Sequence, residues 1–480
     1  MIHIIRRLIL TSLLAIKAIF AAIILFLSDA LLFLRSLVKY LFDRLMGVKK
    51  TADVVSWNGF PSVLSIPSKE NLDFNFWRKP TYVIPTLKAL VSNKVKWLLE
   101  EKRVSPLPDD QLRYWVSHSP LSRVAKNNEH ALSVDLSQVK SVKTDDGVYL
   151  VGPEIELGSD NSLAIRFSET EVYTPEDGSL WLLSKLHVQA AAAFLLPGRF
   201  HGNIHFGLPC VTAASLERLE KSDVLYQLLE PHVRFTLRIN NEALRIQRAQ
   251  DRSKPYAPFP VTGDEFVKSI AKDVKQELMD PGFRCPPWSL QQEPLAYVQY
   301  GQAYYASVLE FVNSVLPKIS ESEIKKWQHF MSGYIPNFNQ QNVGEALATI
   351  IWQVSFLHSA DHYSMEHLME ADKYLFSKMR LKSPGESGIT KETPEDQVIN
   401  MACEAEDRFR LNVFGGTFLK GHKHPLWSNT MDNIHYQFKD DELKISAQKF
   451  QKRLIETEGE LSDKGLNICP LKNVFQSICW

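Results

Sequence analysis

The apolar positions of this 480-residue chain recur mainly at intervals of three and four, which predicts a mainly helical fold. The predicted helices cover residues 82–102, 180–194, 216–229, 266–277, 297–316, 321–331, 396–414 and 441–457. Residues 132–167 differ, because their apolar positions alternate around an Asp145-Asp146-Gly147 turn. Alternation around such a turn predicts a small antiparallel β element within the helical domain.

Residues 346–362, ALATIIWQVSFLHSADH, are apolar on nearly every side of a helix. Such a helix lies deep in a large core. It ends in His358 and His362, which lie one turn apart on the same face and can reach a single metal ion. The same pair is equally consistent with core histidines satisfied by hydrogen bonds.

A second pair of histidines four residues apart, His201 and His205, follows the Pro197-Gly198 break after the helix 180–194. Two such pairs on two helices can together supply four nitrogens to one ion. Gly202 weakens the helical prediction, so a glycine-containing loop with two solvated imidazoles remains the alternative.

The first fifty residues differ in composition from the rest of the chain. Residues 8–34 form a long apolar segment that is charged only at Lys17 and Asp29, and a second amphipathic stretch follows it. This length predicts a single N-terminal hydrophobic helix that anchors the chain in a membrane, either spanning it or lying in its interface. We therefore divide the chain into an anchor, 1–50, and one large domain, 51–480.

Charge and cysteine usage limit the class of protein. Lys plus Arg and Asp plus Glu number 55 each, so no basic excess supports nucleic-acid binding. The five cysteines are scattered without CxxC spacing, which favours a reducing compartment such as the cytoplasm for the domain.

Several segments resemble the catalytic domain of the lipoxygenases. WLLSK at 181–185 resembles the WLLAK stretch of the family, and YQLLEPHVRFTLRIN at 226–240 is the most specific match. The run TIIWQVSFLHSADH resembles the helix that carries a His followed four residues later by Asn or His. The resemblance implies a large, mainly helical domain with a small antiparallel β element.

The resemblance also implies a metal site. It assigns His358 and His362 as one pair of ligands, and the main-chain carboxylate of Trp480 as a further ligand at the end of a tail that enters the core. Four neutral imidazoles and one carboxylate suit a non-haem iron, with manganese as the alternative ion. Asp361 is a candidate to orient a ligand histidine from outside the coordination sphere, or else faces solvent.

Three departures from the family pattern accompany this assignment. The first ligand pair of the family is spaced five apart, and ungapped counting from Trp181 places Leu196 and His201 on those positions. Either the helix is rebuilt so that His201 and His205 bind together, which we favour because of the Pro197-Gly198 break, or His201 acts without its usual partner. The last residue is Trp480 instead of Ile, and the hydrophobic anchor stands where many members carry a β-sandwich.

The function that the resemblance implies is insertion of O2 into a polyunsaturated fatty acid or related lipid, giving a hydroperoxide. Two alternatives stay open. One is a diverged metal oxidase or hydroperoxide-rearranging enzyme on the same scaffold. The other is a metal-free pseudoenzyme.

Overall fold

The computed structural model describes residues 107–128, 131–241, 259–286, 295–370, 377–404 and 430–478 almost completely, and scattered positions elsewhere. The described strands are β1 Asp53–Val55, β2 Leu64–Ile66, β3 Ala125–Asn128, β4 Ala131–Asp135, β5 Glu154–Gly158, β6 Leu163–Arg166 and β7 Val172–Tyr173. The described helices are α1 Asp109–His118, α2 Ser179–Leu195, α3 His201–Phe206, α4 Leu208–Ser215, α5 Val224–Val233, α6 Gly263–Leu278, α7 Ala296–Val315, α8 Glu321–Ser332, α9 Val343–Trp352, α10 His358–Glu370, α11 Glu395–Ala402 and α12 Asp441–Asp463. The prediction of a mainly helical domain with a small antiparallel β element is confirmed.

The sheet contains five antiparallel strands in the order β3-β4-β5-β6-β7. Val134 pairs with Ile155, which pairs in turn with Ile165, and all three side chains are fully buried. Helix α2 packs against this sheet at β6 and β7. The alternation read from the sequence therefore reports the buried face of the sheet.

The prediction that strands flank the Asp145-Asp146-Gly147 turn is wrong in detail. Residues 148–150 form no strand, and Tyr149 makes a single bridge to Met379 instead. The hairpin turn lies further along, where the Gly158 N–H donates to the Ser162 carbonyl between β5 and β6. A local turn signal could not show that residues 136–153 leave the sheet to pack elsewhere.

The predicted helix 216–229 is also wrong at its start. Helix α4 ends at Ser215, a short 3-10 turn covers Leu216–Arg218, and α5 begins at Val224. The carboxylate of Asp223 accepts the Glu220 N–H at 2.8 Å and closes a turn between the two helices. Side chains that bond their own backbone in this way compete with helix formation.

Two long buried helices form the centre of the domain, and each contains one π-helical turn. The first runs from α2 through Leu196–Phe200 into α3, and the second runs from α9 through Gln353–Leu357 into α10. Pro197 has no N–H, so the ordinary hydrogen-bond ladder is interrupted, and the wider turn closes when the His201 N–H donates to the Leu196 carbonyl.

Side-chain caps begin several of the surrounding helices. Ser320 accepts the Glu323 N–H at the start of α8, and Asn342 accepts the Glu345 N–H at the start of α9. Asp440 accepts the Glu442 N–H at the start of α12. These bonds satisfy donors that the first turn of a helix leaves open.

The predicted anchor, 1–50, lies mostly outside the described residues, and so does the predicted helix 82–102. The positions described before residue 46 are helical. Within the described part of the chain, the helical run Ser179–Arg218 is long and apolar enough to cross a membrane, but 89% of its most apolar window is buried within the protein.

Candidate metal centre

The four predicted histidines meet in the core. His201 and His205 lie on α3, His358 and His362 lie on α10, and one ligand atom from each lies within 4.8 Å of all the others. All four are buried, with between 0% and 8% of each residue exposed. The interpretation of His201 and His205 as solvated loop residues is wrong, because the π turn at Leu196–Phe200 continues the helix through Gly202.

The nitrogens of three rings point at one another. His205 Nε2 lies 3.0 Å from His201 Nε2 and 3.1 Å from His358 Nε2. Two ligands at right angles on an ion with metal–nitrogen bonds of about 2.1 Å are about 3.0 Å apart. The spacing and the all-imidazole donor set therefore fit a transition-metal ion, and the cluster points to a metal site.

The fourth ring, that of His362, completes the cluster from the second turn of α10. Its centroid lies 4.4 Å from the centroid of His201 and 4.7 Å from that of His358. Both histidine pairs directly follow a π turn, which rotates the next residues relative to an unbroken α-helix. Each π turn thus helps to aim a pair of imidazoles at the same point.

Asp361 lies between the two histidines of α10 in sequence and is fully buried. One carboxylate oxygen accepts a hydrogen bond from the Tyr297 hydroxyl, and the other lies 3.7 Å from His201 Nδ1. Burial, followed by the nearby Asp361 charge, raises the pKa of Tyr297 well above its ordinary value, so the phenol remains a donor. Asp361 therefore faces the back of a histidine of the other pair and not solvent.

Sequence reasoning assigned no role to Asn240, although it ends the segment 226–240. It is fully buried, and its side chain makes two contacts with His205. Asn240 Oδ1 lies 2.9 Å from His205 Nδ1, and Asn240 Nδ2 donates to the His205 carbonyl at 2.5 Å. Pro209, four residues after His205, was an available signal, because it cannot donate to that carbonyl in a helix.

The C-terminal segment runs beside α10. The Phe475 N–H donates to Ser359 Oγ at 3.0 Å, and Ser355 Oγ donates to the Gln476 carbonyl at 3.0 Å. Ile478 is fully buried. The tail therefore enters the core next to His358. Trp480, the fifth predicted ligand, lies outside the described residues.

His232, from the segment 226–240, also holds this tail. Its Nδ1 lies 2.9 Å from the Gln476 carbonyl, and its Nε2 lies 2.8 Å from the Tyr436 hydroxyl. A carbonyl only accepts, so Nδ1 carries the proton and Nε2 accepts from the phenol. Burial lowers the pKa of His232 to about 3, and the neutral ring joins α5 to the C-terminal segment.

Comparison with known proteins gives the fold. No family model and no curated protein sequence matches the chain. Among solved structures, a coral 8R-lipoxygenase matches with a TM-score of 0.68 and 14% identity over 90% of this chain and 79% of that chain. A 9R-lipoxygenase from Cyanothece matches with a TM-score of 0.55 and 14% identity over 86% of this chain and 72% of that chain.

A third solved structure, a LOX variant in complex with arachidonate, matches with a TM-score of 0.69 and 13% identity. The match covers 90% of this chain and 79% of that chain. Identities this low establish architecture and leave chemistry to the residues of this chain. The chain therefore has the fold of a lipoxygenase catalytic domain, in diverged form.

Proposed function

We propose that this protein is a non-haem iron dioxygenase that inserts O2 into a polyunsaturated fatty acid or related lipid to give a hydroperoxide. The observation that carries the proposal is the convergence of His201, His205, His358 and His362 in a buried cluster. The lipoxygenase-like fold supports the reaction class, and the arachidonate complex of one neighbour supports a fatty-acid substrate.

The four imidazoles would hold the ion, and the Trp480 carboxylate is the proposed fifth ligand. Bound iron supplies one-electron oxidation chemistry, with manganese as the alternative ion. The tail bonds at Phe475 and Gln476 end four residues before Trp480, beside the helix that carries His358. They therefore support a terminal carboxylate in this region.

The residues around the cluster keep water away from it. Leu357, Phe356 and Ala360, which neighbour His358 on its helix, are fully buried. Exclusion of water strengthens electrostatic interactions and protects reactive species from side reactions. Asp361 lies 3.7 Å behind His201 Nδ1, where it would orient that ring, and its bond from Tyr297 keeps the carboxylate in place.

One specific observation favours a second candidate. The first histidine pair is spaced four apart, and Leu196 occupies the position five before His201. A ligand set rebuilt in this way also suits a diverged metal oxidase or a hydroperoxide-rearranging enzyme on the same scaffold. The two candidates share the metal and differ in the product.

We also propose that residues 1–50 anchor the chain in a membrane, with the domain in a reducing compartment such as the cytoplasm. Support comes from exposed apolar side chains at the helical positions described there, which recur at intervals of three and four: Leu31, Leu34, Val38, Leu41, Phe42 and Leu45. An anchor of this kind would keep the domain close to its lipid substrate.

The test combines iron content with oxygen uptake. The full chain should bind one equivalent of ferrous iron and consume O2 with linoleate or arachidonate. His358→Ala should lose both, whereas His329→Ala, at an exposed histidine on α8, should keep both. A wild-type protein that contains no iron and is only as stable as His358→Ala contradicts the proposal and favours the pseudoenzyme. Iron without oxygen uptake favours the second candidate.

A glycine appended after Trp480 tests the fifth ligand. The extra residue moves the terminal carboxylate without changing any side chain, so iron affinity should fall. Unchanged affinity would remove Trp480 from the ligand set and leave the four histidines in place.

A further inference from the structure

In helix α3 the carbonyl of His205 cannot receive its ordinary helical hydrogen bond. The donor would be the N–H four residues later, but that residue is Pro209. The Gly207 N–H is already used by the Asn203 carbonyl. The His205 carbonyl is buried with its residue, so it requires a partner from another element.

Asn240 supplies that partner from the helical residues 236–241. Its Nδ2 donates to the His205 carbonyl at 2.5 Å. A carbonyl oxygen can only accept, so this bond determines which end of the amide is nitrogen. The other end, Oδ1, must then face the ring of His205, where it lies 2.9 Å from Nδ1.

An amide oxygen also only accepts, so His205 Nδ1 carries the proton in the neutral ring. The lone pair is therefore on Nε2, which is the atom that faces His201 Nε2 and His358 Nε2. In the other tautomer an N–H would point at the cluster and could not bind an ion.

We infer that Asn240 is a positioning residue that holds His205 in its Nδ1–H tautomer and aims Nε2 at the metal. This inference rests on the proposed metal site and goes beyond it by assigning a role to a residue that touches no ion. One amide makes both the bond to the His205 carbonyl and the bond to the His205 ring. The carbonyl, which Pro209 cannot bond, therefore holds the amide in place, and the amide orients the ring. Partners of this kind typically contribute 10- to 100-fold in metal affinity.

The experiment measures ferrous-iron affinity of the full chain anaerobically, by competition with a chelator, and melting temperature of the metal-free protein. Asn240→Ala removes both contacts and should weaken iron binding by tenfold or more. Asn240→Asp loses the amide donor to the carbonyl but keeps an acceptor for Nδ1–H, so its affinity should lie between those of wild type and Asn240→Ala. Both variants should lower the melting temperature.

Ser307→Ala is the matched control, because it removes a buried hydrogen bond to Thr457 between α7 and α12. It should lower the melting temperature and leave iron affinity unchanged. If Asn240→Ala binds iron as tightly as wild type, or if Asn240→Ala and Asn240→Asp lose affinity equally, the positioning role is overturned while the metal site stands. If wild type binds no iron, the proposed function fails and this inference fails with it.

A measurement on the wild-type protein does not depend on the folding of any variant. In the metal-free protein labelled with nitrogen-15 histidine, the spectrum should place the proton of His205 on Nδ1, with His205→Gln providing the assignment. A proton on Nε2 would overturn the inference.

Discussion

His187 shows at the scale of one residue how burial sets the state of an imidazole. His187 is a residue of α2, and the Nε2 of its ring donates to the Lys382 carbonyl at 2.9 Å. Burial lowers the pKa of His187 to about 4 from an ordinary value of 6.5. The folded protein therefore keeps this ring neutral at pH values where the unfolded chain protonates it.

The unequal protonation of His187 in the folded and unfolded states makes the stability of the protein depend on pH. Below pH 6.5 the unfolded state binds a proton that the folded state does not, so stability falls as pH falls towards 4. Between pH 7 and pH 5 His187 should cost about 2 kcal/mol of unfolding free energy. In His187→Gln, which keeps an amide donor for the Lys382 carbonyl, the loss over this range should be smaller by about that amount.

Guanidinium chloride unfolding at pH 7 and pH 5 measures the difference. His329→Gln is the control, because His329 is exposed on α8 and its substitution should leave the pH dependence unchanged. An equal pH 7 to pH 5 loss in wild type and His187→Gln would show that His187 protonates in the folded protein.

Residue identity alone could not separate ligand histidines from buried ones. His187 and His232 lie in the core, as the four clustered histidines do, yet each is held by a main-chain carbonyl. Spacing selected the two pairs His201/His205 and His358/His362. It could not show that the pairs meet, because 153 residues separate His205 from His358.

At the scale of elements, the close approach of α3 and α6 explains Gly202. A methyl group on this glycine would lie 3.0 Å from Ile270 Cγ2 on α6. The glycine that weakened the helical prediction therefore lies within a helix, at a close contact with α6, and not in a loop.

Gly202→Ala should destabilise the protein by about 1–3 kcal/mol, because the added methyl group overpacks this contact. It should also weaken iron binding, since α3 carries His201 and His205 on either side of the substitution. Urea unfolding and chelator competition measure the two effects. Adding Ile270→Ala should recover part of the iron affinity by making room for the methyl group.

Gly459→Ala is the matched control on α12, where an added methyl group meets nothing within 4 Å. It should stabilise the protein by about 1 kcal/mol, as expected for alanine over glycine in a helix interior. If Gly202→Ala stabilised the protein to the same extent, the α3–α6 contact would not be the reason for the glycine.

The spacing of apolar residues did not predict the two π turns. Apolar spacing predicted the helices 180–194 and 346–362, and both exist. It predicted a break at Pro197-Gly198, whereas the structure continues through a π turn into α3. A π turn adds one residue to a helix, which a search for residues three and four apart does not detect.

At the scale of the whole molecule, the proposed anchor makes a prediction for membrane binding. Leu34 and Leu41 are exposed at helical positions, at 54% and 47%. Full burial of a leucine contributes about 1.5–3 kcal/mol. Leu34→Glu combined with Leu41→Glu should therefore lower the partition coefficient onto phosphatidylcholine–phosphatidylserine vesicles by at least about tenfold. Sedimentation of the protein with the vesicles measures this coefficient.

Ile455→Glu provides the control, since Ile455 is exposed at 58% on α12 in the large domain. It should leave sedimentation unchanged, and iron content should be the same in all three proteins. Equal sedimentation of the double variant and wild type would contradict the anchor.

The sequence by itself determined which segments are apolar and with what period, and hence the helical class, the buried helix 346–362 and the four candidate histidines. Its local motifs were also sufficient to identify the resemblance to lipoxygenases, which the fold confirms. Only the tertiary structure decided that α3 and α10 face one another, and that Asn240, Asp361 and Tyr297 stand behind the imidazoles. The reason is physical: period and propensity act within about one helical turn, whereas a binding site is made by packing between segments far apart in the chain.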